Sequence, residues 1–346
     1  MPGDARGSGV FVVSLDFELH WGVRDKWTVA QYRERLDGAR QAVPAILGLF
    51  REFGIRATWA TVGLLFFDSK RELLEGLPVR RPPYRRASLS PYAALDEVGE
   101  NERDDPYHFA PSLIRRIAET PGQEIGTHTF SHYYCLEEGQ SAEDFRDDLA
   151  AAIRVARRKL GSAPQSIVFP RNQLSAAHLG VCRQLGFLAY RGNPEAWAYR
   201  ARRDDAESLL RRGIRLADAY LPLTGRCSHP LAGAEAPVDV PASRYLRPYR
   251  PASRALERLR VERIGSDLDH AARAGRLFHL WWHPHDFGAH LGENLQVLGE
   301  ILARFRRLRD AFGMESLGMA ESAERVMATW DPTPAAAGGS VARSSR

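Results

Sequence analysis

The stretch EIGTHTFSHYYC (124–135) sets His128 and His132 four residues apart, directly after an apolar, β-prone run. That interval leaves both imidazoles on one side whether the segment is strand or helix. Two imidazoles within reach of one cation, with a carboxylate from elsewhere, make the three-protein-ligand set of a catalytic zinc site that keeps a position for water. The alternative is a pair of hydrogen-bonded core histidines. No glutamate stands between them, so this is not the HExxH pattern of a zinc protease. A source of carboxylates lies near the start of the chain. In FVVSLDFE, strand alternation puts Phe11, Val13, Leu15 and Phe17 on one face and Ser14, Asp16 and Glu18 on the other, so two acids enter the same space. The alternative there is helix capping or pairing with arginine. In LFHLWWHPHDFG (277–288) the same alternation aligns Leu277, His279, Trp281, His283 and His285. A histidine beside indole rings at a strand end suits a general acid in a partly apolar pocket. The DFG at 286–288 has no glycine-rich phosphate loop or HRD to make it part of a kinase.

Short β-prone runs alternating with helical stretches must position these groups. VFVVSLDFE precedes a helix over 28–53, then RATWATVG; EIGTHTF precedes a helix whose Ser141 and Asp144 read as a capping box. QSIVFPRN leads into AAHLGVCRQLG, followed by FLAYRG, and LFHLWWHP precedes a helix over about 292–312 and a closing strand and helix around MESLGMAE. Repeated β-then-α units predict a parallel sheet, open or rolled into a barrel, with its site at the carboxyl ends of the strands. Asp16, Glu18, His128, His132, Arg171, Arg191, His283 and His285 all fall at such ends. Two stretches, 76–110 and 215–252, resist the β/α reading and are expected to be long functional loops. The length fits one large α/β domain or two small ones within 1–330, followed by an expected disordered tail over 331–346, where DPTPAAAGGSVARSSR has nothing to bury.

With 346 residues the chain can bury a substantial core. Its longest apolar run, around ATWATVGLLFF, is too short to cross a bilayer, so no membrane insertion is expected. The first residues lack a secretory pattern, which predicts a cytoplasmic protein. Cys135, Cys182 and Cys227 are too few and too far apart for a disulfide framework or a thiolate zinc cluster. The formal charge of +5 comes mainly from arginines interspersed with acids, as in EDFRDDL. Even the densest patch, VRRPPYRR (79–86), accompanies no recognised binding module, so nucleic acid is not expected as a partner. Oligomeric state is not legible.

In this order on successive strands, the motifs resemble one family, the NodB-homology polysaccharide deacetylases. SLDFE resembles the acidic first motif, HTFSH matches its H-[ST]-x-x-H second motif, and ATWATVG and the EIG before the first histidine are similar to flanking family strands. WWH stands where the family has a leucine-x-histidine. The likeness covers roughly residues 9–320. It implies an α/β fold, a distorted (β/α) barrel of parallel strands with long inserted loops, and a metal-dependent hydrolase that removes acetyl groups, N-acetyl above all, from a carbohydrate substrate. It implies a divalent metal ion, zinc or alternatively cobalt, nickel or manganese, held by Glu18, His128 and His132. Asp16 is then the base and His283 the acid, although the two acids of the first motif are separated by Phe17 instead of adjacent, leaving their order open. FPRNQ departs from the family's R-x-P-Y, with Arg171 as the expected anchor of the base, Gln173 in place of a tyrosine, and a backbone N–H near Asn172 as oxyanion donor. YRGNPEAW replaces the D-x-x-W motif, offering Arg191 and Trp197; Trp281, Asn172 and Arg191 are expected to contact substrate. Without a secretory pattern, a glycan precursor or sugar-nucleotide-linked intermediate is expected over an intact wall polymer. The rival readings are an allantoinase-like amidohydrolase acting on a small linear or cyclic amide and a glycan-binding barrel without activity.

Overall fold

The computed structural model describes residues 8–203, 206–233 and 235–329; the tail expected to be disordered lies outside them. The strands are β1 (Val10–Phe17), β2 (Ala57–Thr61), β3 (Gln123–Thr127), β4 (Ser166–Ile167), β5 (Ala189–Tyr190), β6 (Val238–Asp239), β7 (Arg244–Tyr245), β8 (Leu277–Trp282) and β9 (Glu315–Leu317). The helices are α1 (Val29–Phe53), α2 (Lys70–Glu75), α3 (Pro111–Ala118), α4 (Ala142–Leu160), α5 (Ala176–Gln184), α6 (Leu209–Asp218), α7 (Glu257–Ala274), α8 (Leu291–Phe312) and α9 (Met319–Thr329).

The strands form one parallel sheet in the order β6-β5-β4-β3-β2-β1-β8-β7, curled into a distorted (β/α) barrel. β1 is the hub. It pairs with β8 along one edge; on the other, Val10–Val12 pair with β9 and Val13–Phe17 with β2. All eight of its residues are buried, as expected where helices cover the outside of a parallel sheet and side chains fill the inside. Phe11, Val13, Leu15 and Phe17 pack outward against α1 and α8, while Val10 and Val12 join Ala60, Val168, Val240 and Leu277 inside. Above that apolar floor the interior turns polar at Ser14 and Asp16, which raises the site to the carboxyl ends of the strands.

The stretch 215–252 proves to be more than a loop. Its segment 238–246 closes the barrel: Val238, Val240 and Ala242 donate their N–H to Leu188, Tyr190 and Gly192 beside β5, and Ser243 and Leu246 then donate to His279 and Trp281 on β8. One segment thus passes from one edge of the sheet to the other. Pro241 interrupts it, and strands of two residues leave no periodicity in the sequence to reveal them. Upstream, α6 is tied to the barrel by a buried set of two arginines and two aspartates: Arg244 bonds Asp218 and Asp267, and Arg263 bonds Asp267.

Helix α1 starts on a capping box between Thr28 and Gln31 and stops at Gly54 in the left-handed conformation. It lies directly on the turn that follows β8. A Cβ at Gly288 would fall 2.2 Å from the Arg35 carbonyl oxygen, so only glycine permits that approach. The three cysteines are free and buried. No helix among the described residues is long and apolar enough to cross a membrane.

Candidate active site

Glu18 follows the last residue of β1 and is buried. One of its carboxylate oxygens lies 2.9 Å from His132 Nε2 and 3.1 Å from His128 Nε2. The opposite ring nitrogens are already engaged: His128 Nδ1–H donates to the Val168 carbonyl at 2.8 Å, and His132 Nδ1 lies 3.1 Å from the Tyr134 hydroxyl, which can accept its proton. Burial holds the His132 pKa down at about 4, so its ring is neutral. With Nδ1 as the donor, a neutral ring presents Nε2 as a lone pair toward a carboxylate oxygen that offers only lone pairs. The three side chains converge on a buried point, their candidate ligand atoms all within 4.8 Å of one another, and such a set could hold a divalent metal.

The histidines reach this point by a route the four-residue interval does not describe. The segment is neither strand nor helix; Thr129 (φ 64°) and His132 (φ 58°) are both left-handed, and they fold the chain back on itself. Asp148 of α4 holds that turn, accepting from the Phe130 N–H at 2.7 Å, the Ser131 N–H at 3.2 Å and the Ser131 hydroxyl. Burial pushes its carboxyl up to about 7 against those bonds. Its one sequence signal is an acid on the buried side of an amphipathic helix, among Phe145, Leu149 and Ala152.

Asp16 faces the opposite way. Arg191, at the end of β5, grips both its oxygens at 2.7 and 2.8 Å, and also donates to Ser14 Oγ and Asn172 Oδ1, each at 3.0 Å. Burial alone would raise the Asp16 pKa; the guanidinium overrides it and keeps the carboxyl below its ordinary value. Ser14 passes its own proton to Nε2 of His279, 2.8 Å away, whose other nitrogen donates to the Val240 carbonyl. His279, held near pKa 3 by burial, is therefore a neutral strut under the site.

Three expectations are corrected here. The anchor of Asp16 is Arg191, not Arg171. Arg171 and Asn172 both have positive φ (54° and 53°), and this turn sends the Arg171 side chain up to Asp25 and over the Tyr134 ring, 4.4 Å from its centroid. Arg191 is in turn no substrate contact: its side chain is 0% exposed and is covered by Trp281, with 4.1 Å between guanidinium and indole centroid. The Asn172 N–H donates to the Phe169 carbonyl at 2.8 Å, so it is spent within its own turn and does not serve as an oxyanion donor. Trp197 is 52% exposed and lines neither cavity described below.

His283 sits above both acids, its Nε2 3.7 Å from an oxygen of Asp16 and 3.7 Å from one of Glu18. Nδ1 pairs with Asp286 at 2.9 Å, and Tyr245 donates its hydroxyl to the same Asp286 oxygen. Burial would lower the His283 pKa, yet Glu18, Asp286 and Asp16 together push it up to about 10. Asp286 was not singled out from the sequence, although its position three residues after His283 places it in the same turn. Asp16, Glu18, His128, His132, Asn172, Arg171, Trp281 and His283 all line one open cavity of about 270 Å³.

A family model described as polysaccharide deacetylase matches residues 37–190. Over that stretch, which is less than half of the chain, the sequence is similar to the polysaccharide deacetylase family. The matched stretch contains the two histidines, whereas Asp16, Glu18 and His283 lie outside it and join them only through the fold. Among solved structures, the chain is similar to a putative polysaccharide deacetylase from Mycobacterium smegmatis, at TM-score 0.60 and 18% identity over 94% of this chain and 93% of that one. It is also similar to a probable polysaccharide deacetylase from Pseudomonas aeruginosa PAO1, at TM-score 0.50 and 13% identity over 94% and 92%. At these identities the likeness is one of fold. No curated protein matches its sequence.

Proposed function

We propose that this protein is a deacetylase that removes an N-acetyl group from a sugar, using a divalent metal ion held by Glu18, His128 and His132. The observation that carries the reading is the convergence of two imidazole lone pairs and one carboxylate oxygen beside a second, separately anchored carboxylate and a protonated histidine. Zinc suits a set of two histidines and a carboxylate, and cobalt, nickel or manganese would also be accepted. The chemistry such an ion supplies is Lewis acidity, which polarises a carbonyl and makes water more acidic.

The chain's own residues do the rest. Arg191 fixes the Asp16 carboxylate by a two-point grip and keeps it ionised, so Asp16 accepts the proton of the attacking water as the new C–O bond forms. His283 enters as imidazolium, its Nδ1–H held by Asp286 and its Nε2–H directed into the cavity. As the C–N bond breaks, that proton passes to the nitrogen and the sugar leaves as an amine. Trp281 walls the acetyl side and shields the Asp16–Arg191 pair from water. The deciding experiment measures bound metal and acetate release from N-acetylated oligosaccharides by the full chain. Release that a chelator abolishes and added zinc restores is expected; a glycan-binding barrel would release none.

A further inference from the structure

A second cavity of about 310 Å³ opens beside the catalytic one and shares Lys26, Arg171, Asn172, Tyr245 and Trp281 with it. A group seated there would be the next along a substrate whose acetyl lies at Glu18. Among the described residues, eight basic side chains line it against Glu207 alone. Salt bridges neutralise part of this: Arg171 has Asp25, Arg203 has Glu138 and Arg215 has Glu207. Arg212 and Arg247 have no carboxylate partner among the described residues. Arg247 is the telling one, because it is half-buried, its side chain donates to the Arg215 carbonyl at 3.3 Å, and it lies against the Tyr245 ring. A cation withdrawn from water usually sits beside an anion; Arg247 is such a cation, and the exposed Arg212 of α6 adds a second guanidinium to a cleft with room for an anion.

Building on the hydrolase reading above, we propose that this cleft binds a phosphate or diphosphate group, making the substrate a phosphate-linked N-acetyl sugar. A guanidinium matches phosphate geometry and holds it by paired hydrogen bonds. The excess of positive charge favours a group with two charges over the single carboxylate of an acidic sugar. The same chemistry could be carried by a nucleotide or by a prenyl lipid.

The test is calorimetric titration of the full chain with inorganic pyrophosphate. Saturable binding is expected, weakened at least tenfold in Arg212→Glu and in Arg247→Met, and preserved in His128→Ala, which separates the cleft from the metal site. Arg212 is exposed, so its replacement reports on binding even if the Arg247 variant folds poorly. Uridine diphosphate and farnesyl diphosphate then compete for the same site, and the tighter of the two identifies the carrier. In turnover, N-acetylglucosamine 1-phosphate is expected to exceed N-acetylglucosamine at least tenfold in kcat/KM, an advantage that Arg212→Glu removes without changing kcat on the neutral sugar. Pyrophosphate that fails to bind, that binds Arg212→Glu as well as the unaltered chain, or that is lost in His128→Ala overturns the proposal. If neither sugar releases acetate, the hydrolase reading fails, and the titration still decides this one.

Discussion

Asp16 and Glu18 stand two residues apart on one strand face, yet one is clasped by a guanidinium and the other by two imidazoles, and their removal should have opposite signatures. Glu18→Gln and His128→Ala are expected to lose both bound metal and acetate release. Asp16→Asn should keep the metal and lose turnover by about 10²–10⁴-fold, the usual contribution of a positioned base. Metal content measured beside activity distinguishes them; if Asp16→Asn empties the site while Glu18→Gln retains the ion, the two roles are reversed. The pH dependence belongs to the same residues. Asp16, held below its ordinary pKa by Arg191, stays ionised until the pH falls through that lowered value, so the acid limb should lie below the usual carboxylate range. His283, raised to about 10, loses its proton only as the pH climbs through that value, and activity falls with it. A cation on Glu18 cancels part of the charge that raises His283, which puts the alkaline limb at or below pH 10. Asp286→Asn removes another part, and the limb should move down by about one unit or more. A kcat/KM profile whose alkaline limb ignores Asp286→Asn would show that His283 is not the titrating acid.

At the scale of elements, the turn after β1 shows how tightly the backbone frames a side chain. Leu19–Gly22 forms a short 3-10 turn, and a Cβ on Gly22 would fall 2.0 Å from the Glu18 carboxyl carbon. The movable partner is the end of a side chain, so Gly22→Ala should leave the fold standing and displace Glu18. We expect metal affinity to drop by about 10–100-fold, the range for groups that orient ligands, with an unchanged far-ultraviolet circular dichroism spectrum. Unchanged affinity would mean that Glu18 does not need its present position. This scale also marks the limit of what the sequence discloses. The alternation in β1 and β8 depends only on neighbouring residues, so the inward faces carrying Asp16, Trp281 and His283 are legible. The choice of Arg191 over Arg171 is not, because it turns on two consecutive left-handed residues in FPRNQ, neither of them glycine. The barrel-closing segment is hidden for a related reason: its strands acquire their pattern from β5 and β8, and only the assembled sheet supplies those partners.

Across the whole molecule, the candidate ligands come from distant parts of the chain, and this ties metal binding to stability. Glu18 directly follows the hub strand, which holds β2, β8 and β9 together, while His128 and His132 lie on a turn clamped by α4. An ion bridging them cross-links the amino-terminal strand to the middle of the barrel. The unfolded chain cannot present this set in one place, so the ion should bind the native state almost exclusively. At a free metal concentration one hundred times Kd, such linkage adds about 2.7 kcal/mol of stability. For a domain of this size that corresponds to a rise in Tm of roughly 5 °C. Thermal unfolding of the full chain in chelator and in added zinc measures it directly. The shift should vanish in His128→Ala and His132→Ala, and should persist in Asp16→Asn, whose side chain is anchored to Arg191 instead. Zinc that raises Tm equally in the histidine variants would be binding elsewhere, and the three-residue site would lose its claim to the ion.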